Sequence, residues 1–338
     1  MTERTSQTPL HAGPISEYSP EYSRFVADIG GTHARFALVA ESPESGRGAL
    51  VDIKVFKCAD FDGPAETVIA YRNYLGRNLP DRACIAAAGP VDDGTVQFTN
   101  LNWTLSAQEL QKTLNLKKLE IVNDFTAVAH AITQLSADET RVLHEGVRTG
   151  VRKVVVGAGT GLGVAAMTEV EGEPHIIDSE GGHARFAPAS RRERELLKVL
   201  SRRHDFVSME MLLAGPGIPL IHQALSQMNG RPYSPMTAEA ITSQAREGAQ
   251  ADCEETIELY LHILAAYCTN LAITFCARGG LYLSGNILRS IEPLFSQERF
   301  VNRFLNAGAM SDLVAQTPVS LVLVKDPGLY GAAFCRIE

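Results

Sequence analysis

Two glycine-rich segments have residue types suited to binding phosphate. They read Asp28-Ile29-Gly30-Gly31-Thr32 and Gly157-Ala158-Gly159-Thr160-Gly161. Glycine lets backbone N–H groups approach phosphate oxygens closely, and a threonine hydroxyl adds a donor. Each segment lies between two strand-like runs, whereas a Walker loop carries a lysine and opens a helix, as a dinucleotide fingerprint also does. The sequence therefore predicts two hairpin turns, which are either plain structural turns or a pair of phosphate clamps.

Two aspartates follow strand-like runs. Asp28 precedes the first turn, where a carboxylate can hold Mg²⁺ through water while the metal binds phosphates, or can simply stabilise the turn. Asp124 follows the run at 119–122 and precedes a helical stretch. It is either the N-cap of that helix or, if Asn123 is the cap, a general base for a substrate hydroxyl.

A further polar group lies in the middle of the chain. Ser179-Glu180-Gly181-Gly182-His183 packs a carboxylate and an imidazole into a short loop, which suits the hydroxyl groups of a sugar. A metal site would need further His or Cys ligands close by, and the cysteines do not supply them. Glu210 precedes Gly215-Pro216-Gly217, and its own pattern is that of a solvated helix residue.

The elements that position these residues form two similar series. Strand-like runs at 24–29 and 36–40 flank the first turn, and runs at 153–156 and 164–167 flank the second. Each series then opens an α/β segment, with helices expected at 66–79 and 191–203. We therefore predict an α/β fold of two related halves of unequal size with a cleft between them, the first half ending near Leu135.

The composition excludes several classes of protein. The 338 residues are 45% hydrophobic and 21% charged, and 31 Lys and Arg against 39 Asp and Glu give a net charge of −8. No global positive field attracts nucleic acid or an anionic membrane. The six cysteines are scattered without a Cys-x-x-Cys pair, so we expect reduced thiols that serve as small buried hydrophobic residues.

Neither a secretory signal nor a membrane span is expected. Residues 1–23 are polar and contain three prolines, so they predict a flexible tail. The longest apolar helix, at about 256–276, includes His262 and Asn270 and follows a cluster of glutamates. These residues favour a buried core helix over a membrane span. We expect a cytoplasmic protein.

The ordered motifs together resemble the bacterial ATP-dependent glucokinases, within the hexokinase, heat-shock chaperone and actin superfamily. The resemblance runs from about Phe25 to the carboxyl terminus. It is carried by Asp28-Ile29-Gly30-Gly31-Thr32, 84–90, Thr99-Asn100 with Trp103, 119–128, 157–163, Glu180-Gly181-Gly182-His183, Phe186-Ala187-Pro188, Gly215-Pro216-Gly217, 283–287 and Asp326-Pro327-Gly328.

The resemblance implies a fold and an activity. The fold would be two ribonuclease-H-like lobes, as in actin-like ATPases, with a tail at 1–23. A small lobe would span 24–135 with 325–338 returning to it, and a large lobe would span 136–324. The activity would be ATP- and Mg²⁺-dependent phosphorylation of glucose at its 6-hydroxyl, the first step of glycolysis. Family members commonly act as homodimers.

The resemblance also implies residue roles. Asp124 would be the base for the 6-hydroxyl, and the other hydroxyls would be held by Asn123, Glu180, His183 and Glu210. Gly285 would lie near the adenosine. The ATP phosphates would be lined by Gly30, Gly31, Thr32, Gly157, Gly159, Thr160 and Gly161.

Four positions depart from the family pattern. His33 is usually asparagine, Asn286 is usually glycine, and Ala184-Arg185 is usually valine and aspartate. Two other functions stay open at this point. One is a kinase for another hexose, because likeness of fold does not fix the substrate. The other is a sugar sensor without catalysis on the same fold.

Overall fold

The computed structural model describes residues 22–41, 48–98 and 101–337. The strands are β1 (Tyr22–Ile29), β2 (His33–Glu41), β3 (Gly48–Lys57), β4 (Arg82–Ala87), β5 (Val91–Asp92), β6 (Thr95–Gln97), β7 (Thr104–Ser106), β8 (Lys118–Asn123), β9 (Thr140–His144), β10 (Lys153–Ala158), β11 (Leu162–Val170), β12 (Glu173–Ser179), β13 (Gly280–Ser284) and β14 (Val319–Val322). The helices are α1 (Pro64–Leu75), α2 (Ala107–Leu114), α3 (Asp124–Ile132), α4 (Arg191–Leu200), α5 (Met209–Leu213), α6 (Gly217–Met228), α7 (Ala238–Arg246), α8 (Ala251–Phe275), α9 (Asn286–Ser290), α10 (Gln297–Phe304), α11 (Ser311–Ala315) and α12 (Pro327–Ala332).

The chain divides into two compact units. The first contains the described residues up to Gln134 and those from Asp326 onward, and the second is Leu135–Lys325. The boundaries expected from the sequence, after 135 and before 325, lie within one residue of these divisions. Most of the expected tail, residues 1–21, lies outside the described residues. Its last two residues already belong to β1, so the first strand begins earlier than expected.

The two units contain sheets with the same strand order. In the first unit the order is β3-β2-β1-β4-β8, and in the second β12-β11-β10-β13-β14, with β9 added at the edge. In both sheets the first hairpin is antiparallel and the later strands are parallel to its first strand. The repeated pattern of strand, glycine turn and strand is thus confirmed as the start of each sheet.

The central strands are apolar because both of their faces are covered. Phe25, Val26 and Ala27 of β1 are fully buried, as are the inner residues of β4. A strand that packs on both faces needs a continuous apolar run rather than alternation. Each unit has its own hydrophobic core, built around its own sheet.

Helix ends differ from the predicted ones for local reasons. The helix expected at 66–79 is α1, which begins with Pro64 at its first position and ends before Gly76. Gly76 has φ +64, a left-handed conformation that stops a helix and favours glycine. The helix expected at 191–203 is α4, which ends at Leu200.

The longest helix, α8, belongs to the core of the second unit. By length and composition alone it is apolar enough to cross a membrane, and it is the one such helix among the described residues. However, 72% of its most apolar 18-residue window is buried inside the protein. Residues such as Tyr260, Leu264 and Cys268 pack into the core. Its burial explains its apolar composition, as the polar residues within it led us to expect.

Candidate active site

The first glycine turn and Asp124 lie at the same edge of the first sheet. β1, β4 and β8 are parallel, and their register aligns Ile29 with Ala87 and Ala87 with Asn123. With strands about 4.8 Å apart, Ile29 and Asn123 are separated by roughly 10 Å across the sheet. The carboxyl ends of parallel strands are where α/β sheets expose their ligands. The topology therefore brings together two segments that are far apart in the sequence.

An arginine of the neighbouring strand lies between Asp28 and Asp326. Arg35 Nη1 is 3.8 Å from Asp28 Oδ2, and Arg35 Nε is 2.9 Å from Asp326 Oδ1. The Asp28 side chain is only 18% exposed. Burial raises the pKa of Asp28 to about 6, while the charge of Arg35 opposes this rise and that of Asp326 adds to it.

Sequence reasoning assigned a role to Asp28 and none to Arg35 or Asp326. Both residues were visible in motifs, since Arg35 follows the first turn and Asp326 opens the Asp-Pro-Gly segment. Their contact needs the carboxyl-terminal segment to return to the first unit, which no local pattern shows.

Asn123 is the N-cap of α3, which leaves Asp124 as the first helical residue. Asn123 Oδ1 accepts hydrogen bonds from the N–H groups of Phe125 at 2.8 Å and Thr126 at 3.3 Å. Its Nδ2 donates to the carbonyl of Gly89 at 3.0 Å. Of the two alternatives for Asp124, the N-cap is therefore wrong. Asn123 keeps a second amide N–H for another acceptor.

The second glycine turn is shorter than its sequence motif. Gly157 and Ala158 belong to β10, where Gly157 pairs with Ser284 of the parallel strand β13. The turn itself is 159–161, closed by a hydrogen bond from the N–H of Gly159 to the carbonyl of Gly161 at 2.9 Å. The expectation that Gly157 lies within the turn was wrong, because the ladder with β11 continues through Ala158.

Gly285 lies against the end of the same hairpin. It has φ +107, and a Cβ there would come within 2.1 Å of the Ala158 carbonyl oxygen. Because that oxygen belongs to the backbone, it cannot move away as a flexible side chain would. Glycine is therefore required for β13 to pass this close to the second turn.

Glu180, His183 and Glu210 form one cluster in the second unit. His183 Nε2 is 3.8 Å from Glu180 Oε2, and His183 Nδ1 is 3.7 Å from Glu210 Oε1. Glu180 and His183 are about 60% exposed, and Glu210 is 31% exposed. Charged oxygens and ring nitrogens that share one surface can accept and donate hydrogen bonds to several hydroxyls. The structure thus groups three residues that the sequence places up to 30 positions apart.

Close packing shapes the loop that carries this cluster. A Cβ at Gly182 would lie 1.8 Å from the carbonyl oxygen of Leu162, so only glycine fits there. Ser179 Oγ accepts a hydrogen bond from the N–H of Gly181 at 3.0 Å. These contacts fix the loop against the start of β11 and set the direction of Glu180 and His183.

The positions that depart from the family pattern have local partners. The carbonyl of His33 accepts the N–H of Gly30 at 3.0 Å, and the oxygen of Asn286 accepts a hydrogen bond from Arg289. The guanidinium of Arg185 lies 4.3 Å from the centre of the Phe206 ring. The Thr99-Asn100 part of the motif set lies outside the described residues.

The sequence is similar to those of a known protein family. The family model described as Glucokinase matches residues 25–338. A glucokinase of Saccharophagus degradans is 35% identical over 313 residues, 92% of this chain and 97% of the relative. A glucokinase of Aromatoleum aromaticum is 36% identical over 318 residues, 93% of this chain and 95% of the relative.

Solved structures show the same fold. The crystal structure of a glucokinase from an Antarctic psychrotroph has a TM-score of 0.83 and 33% identity, covering 93% of this chain and 99% of that one. A ROK family glucokinase from Streptomyces griseus, solved with glucose and AMPPNP, has a TM-score of 0.62 and 18% identity, with 92% and 97% covered. At that identity the second likeness concerns the fold alone.

The mixed α/β fold is shared with solved sugar kinases, which defines the class of this protein. More narrowly, the family match and the identities over nine-tenths of the chain show that it belongs to the glucokinase family. It is an enzyme, and its reaction is the ATP-dependent phosphorylation of glucose.

Proposed function

We propose that Asp124 is the general base of this kinase and takes the proton from the 6-hydroxyl of glucose. The observation that carries the proposal is the capping of α3 by Asn123, because it places Asp124 in the first turn of α3, directly after the carboxyl end of β8. As that proton leaves, the hydroxyl oxygen bonds to the γ-phosphorus of ATP and the bond to ADP breaks. A positioned base contributes about 10²–10⁴ to such a rate.

The remaining hydroxyls of glucose would be held by Asn123, Glu180, His183 and Glu210. The distances of 3.7 and 3.8 Å within the histidine–glutamate cluster support this role, since they leave both carboxylates near one imidazole on an exposed surface. Hydrogen bonds to charged groups contribute about 1.5–3 kcal/mol each. A hexose that lacks one such contact would therefore bind at least about tenfold more weakly.

The phosphates of ATP would be held by the two glycine turns. Gly30, Gly31 and Thr32 form the first, and Gly159, Thr160 and Gly161 form the second, with Gly157 at its base and Gly285 beside it. Within the described residues, the N–H groups of Gly31 and Thr32 donate to no protein acceptor. Unpaired backbone donors in a turn are suited to an anion, which supports the proposal.

Mg²⁺ would be held through water by Asp28. A single carboxylate beside a phosphate-binding turn fits this ion, which keeps several waters and uses one or two carboxylates together with substrate phosphates. When bound, Mg²⁺ neutralises charge on the phosphoryl oxygens. Arg35 Nη1 lies 3.8 Å from Asp28 Oδ2, and its positive charge favours the ionised carboxylate that Mg²⁺ needs.

We also propose that the two units are ribonuclease-H-like lobes of the actin-like ATPase type. The shared strand order of their two sheets supports this. We further propose a homodimer that acts in the cytoplasm on the first step of glycolysis. The cleft expected between the lobes stays a prediction from the sequence.

The decisive experiment is a coupled assay of ADP release with Mg·ATP and a panel of hexoses. The panel is glucose, mannose, fructose, galactose and N-acetylglucosamine. We expect glucose to give the highest kcat/KM, and the same rank order from glucose 6-phosphate formation. Faster turnover of another hexose would overturn the glucose assignment while leaving the base in place. Calorimetric glucose binding without turnover of any sugar would overturn the catalytic proposal.

A further inference from the structure

A buried thiol is hydrogen-bonded to the first glycine turn. Cys58 directly follows β3 and is only 1% exposed. Its Sγ–H donates to the carbonyl of Gly30 at 3.3 Å. Its backbone N–H donates to the carbonyl of Thr32 at 2.9 Å. One residue therefore binds both ends of the Gly30-Gly31-Thr32 turn. The sequence predicted a small buried hydrophobic residue here; Cys58 does lie in the core of the first unit, and in addition it donates a hydrogen bond.

Because peptide groups are planar, these two contacts also fix the orientation of the turn's backbone. In a planar trans peptide the C=O of one residue and the N–H of the next point in opposite directions. Because Cys58 binds the carbonyl of Gly30, the N–H of Gly31 points away from Cys58. Cys58 also binds the carbonyl of Thr32, so for the same reason the N–H of His33 points away from Cys58. The N–H of Gly31 is thus held facing away from the buried Cys58 side chain.

The thiol is suited to remain a donor. Burial raises the pKa of Cys58 above its ordinary value, so it is a neutral thiol at physiological pH. A thiolate has no hydrogen to donate, and it would repel both the Gly30 carbonyl and any nearby phosphate. Cys58 lies in the hydrophobic core of the first unit, and these apolar surroundings keep the thiol protonated.

We propose that Cys58 is a positioning residue for nucleotide phosphate, acting through the carbonyls of Gly30 and Thr32. The proposal rests on the nucleotide-binding role proposed above for this turn. Cys58 does not touch the nucleotide itself. Its side-chain hydrogen bond restricts the Gly30–Gly31 peptide to the orientation that presents the Gly31 N–H, so binding does not have to order that peptide.

The test compares Cys58→Ala, which has no side-chain donor, with Cys58→Ser, which keeps one. Cys253→Ala is the matched control, because Cys253 is equally buried but lies in α8 of the second unit. Calorimetry gives the Kd of MgADP and, separately, the Kd of glucose, and scanning fluorimetry gives Tm. Steady-state assays give the KM of ATP and kcat.

We expect Cys58→Ala to raise the MgADP Kd and the ATP KM about three- to tenfold, the effect of one neutral hydrogen bond. The glucose Kd should stay unchanged, and Cys58→Ser should recover most of the nucleotide affinity. Cys253→Ala should change Tm alone. Cys58→Ala with a lower Tm and wild-type nucleotide affinity would overturn the proposal, as would a Cys58→Ser variant no better than the alanine.

A further variant separates this inference from the proposed function. Thr32→Ala removes a hydroxyl of the turn itself. If Thr32→Ala weakens MgADP binding and Cys58→Ala does not, the turn binds nucleotide and the positioning role of Cys58 is wrong. If neither variant weakens MgADP binding, the nucleotide role of the turn is wrong, and the positioning role falls with it.

Discussion

Glu210 Oε2 accepts a hydrogen bond from the backbone N–H of Leu162 at 2.9 Å. Leu162 is the residue that follows the second glycine turn, and the other oxygen of Glu210 faces His183 at 3.7 Å. One carboxylate therefore connects the proposed phosphate turn with the proposed sugar-binding cluster. This contact also explains Gly161, where a Cβ would come within 2.8 Å of Glu210 Oε2.

Replacing Glu210 with glutamine should separate its two contacts. Glutamine keeps an oxygen that can accept the Leu162 N–H but loses the negative charge that faces His183. We expect the KM of glucose to rise about tenfold or more, the range of a charged hydrogen bond, with the KM of ATP within twofold of wild type. Steady-state kinetics with each substrate varied in turn measures both.

The control for this change is Glu298→Gln, at an exposed position on α10. It should leave both KM values unaltered. A Glu210→Gln enzyme with an unchanged glucose KM would mean that Glu210 supports only the backbone at Leu162.

Replacing Asp124 with asparagine should remove the base and keep the helix. The N-cap hydrogen bonds come from Asn123, so α3 should form normally and Tm should change little. We expect kcat to fall about 10²–10⁴-fold, with the glucose Kd from calorimetry changed far less. Asp312→Asn, on the exposed start of α11, is the matched control. Turnover within tenfold of wild type would show that another group takes the proton.

The stability of the first unit should depend on pH through Asp28. Its pKa is about 6 in the folded protein against an ordinary value of 3.8, so the folded state binds more protons between these pH values. Stability therefore decreases as pH rises from about 4 through the folded pKa, and it is level with respect to this group above about pH 7. Asp28→Asn should abolish that decrease.

Thermal melts from pH 4.5 to 7.5 measure how the stability of wild type and of Asp28→Asn depends on pH. The Tm of Asp28→Asn minus that of wild type should become more positive as pH rises and should level off above about pH 7. The variant should at the same time lose most of its turnover if Asp28 serves Mg²⁺. Parallel Tm curves with a constant offset would contradict the raised pKa.

Gly182→Ala should disrupt the loop that carries Glu180 and His183. The added Cβ would collide with the Leu162 carbonyl, and relief of such overlap typically costs about 1–3 kcal/mol or more. We expect a lower Tm and a weaker glucose affinity, measured by scanning fluorimetry and calorimetry. At Gly63 a Cβ would meet nothing within 4 Å, so Gly63→Ala is the control and should have nearly wild-type values. A Gly182→Ala enzyme that binds glucose normally would show that the loop adapts.

Local patterns in the sequence predicted much of the fold. Glycine turns between apolar runs identified both opening hairpins, because a hairpin needs only neighbouring residues and a flexible tip. The two candidate caps at 123 and 124 were also visible, since Asn and Asp are both favoured at a helix start. Which of the two is the cap required the structure. Propensity does not separate them, whereas the hydrogen bonds of Asn123 to Phe125 and Gly89 do.

Helix ends and side-chain partners were harder to predict. The early end of α1 depends on the left-handed conformation of Gly76, and a glycine inside a helical pattern is compatible with either outcome. Arg35 was not assigned a role because its second partner, Asp326, comes from the opposite end of the chain. Cys58 was classed by its apolar character, although the same side chain donates a hydrogen bond.

By itself, the sequence determined the class of fold, the two glycine turns and the set of residue types able to transfer a phosphoryl group to a sugar. These depend on composition and on spacing over a few residues. Only the tertiary structure decided which of those residues meet: Asn123 with Gly89, Glu210 with Leu162, and Cys58 with Gly30. Such contacts form when strand register and packing bring distant segments within hydrogen-bonding distance, and no short-range pattern encodes that register.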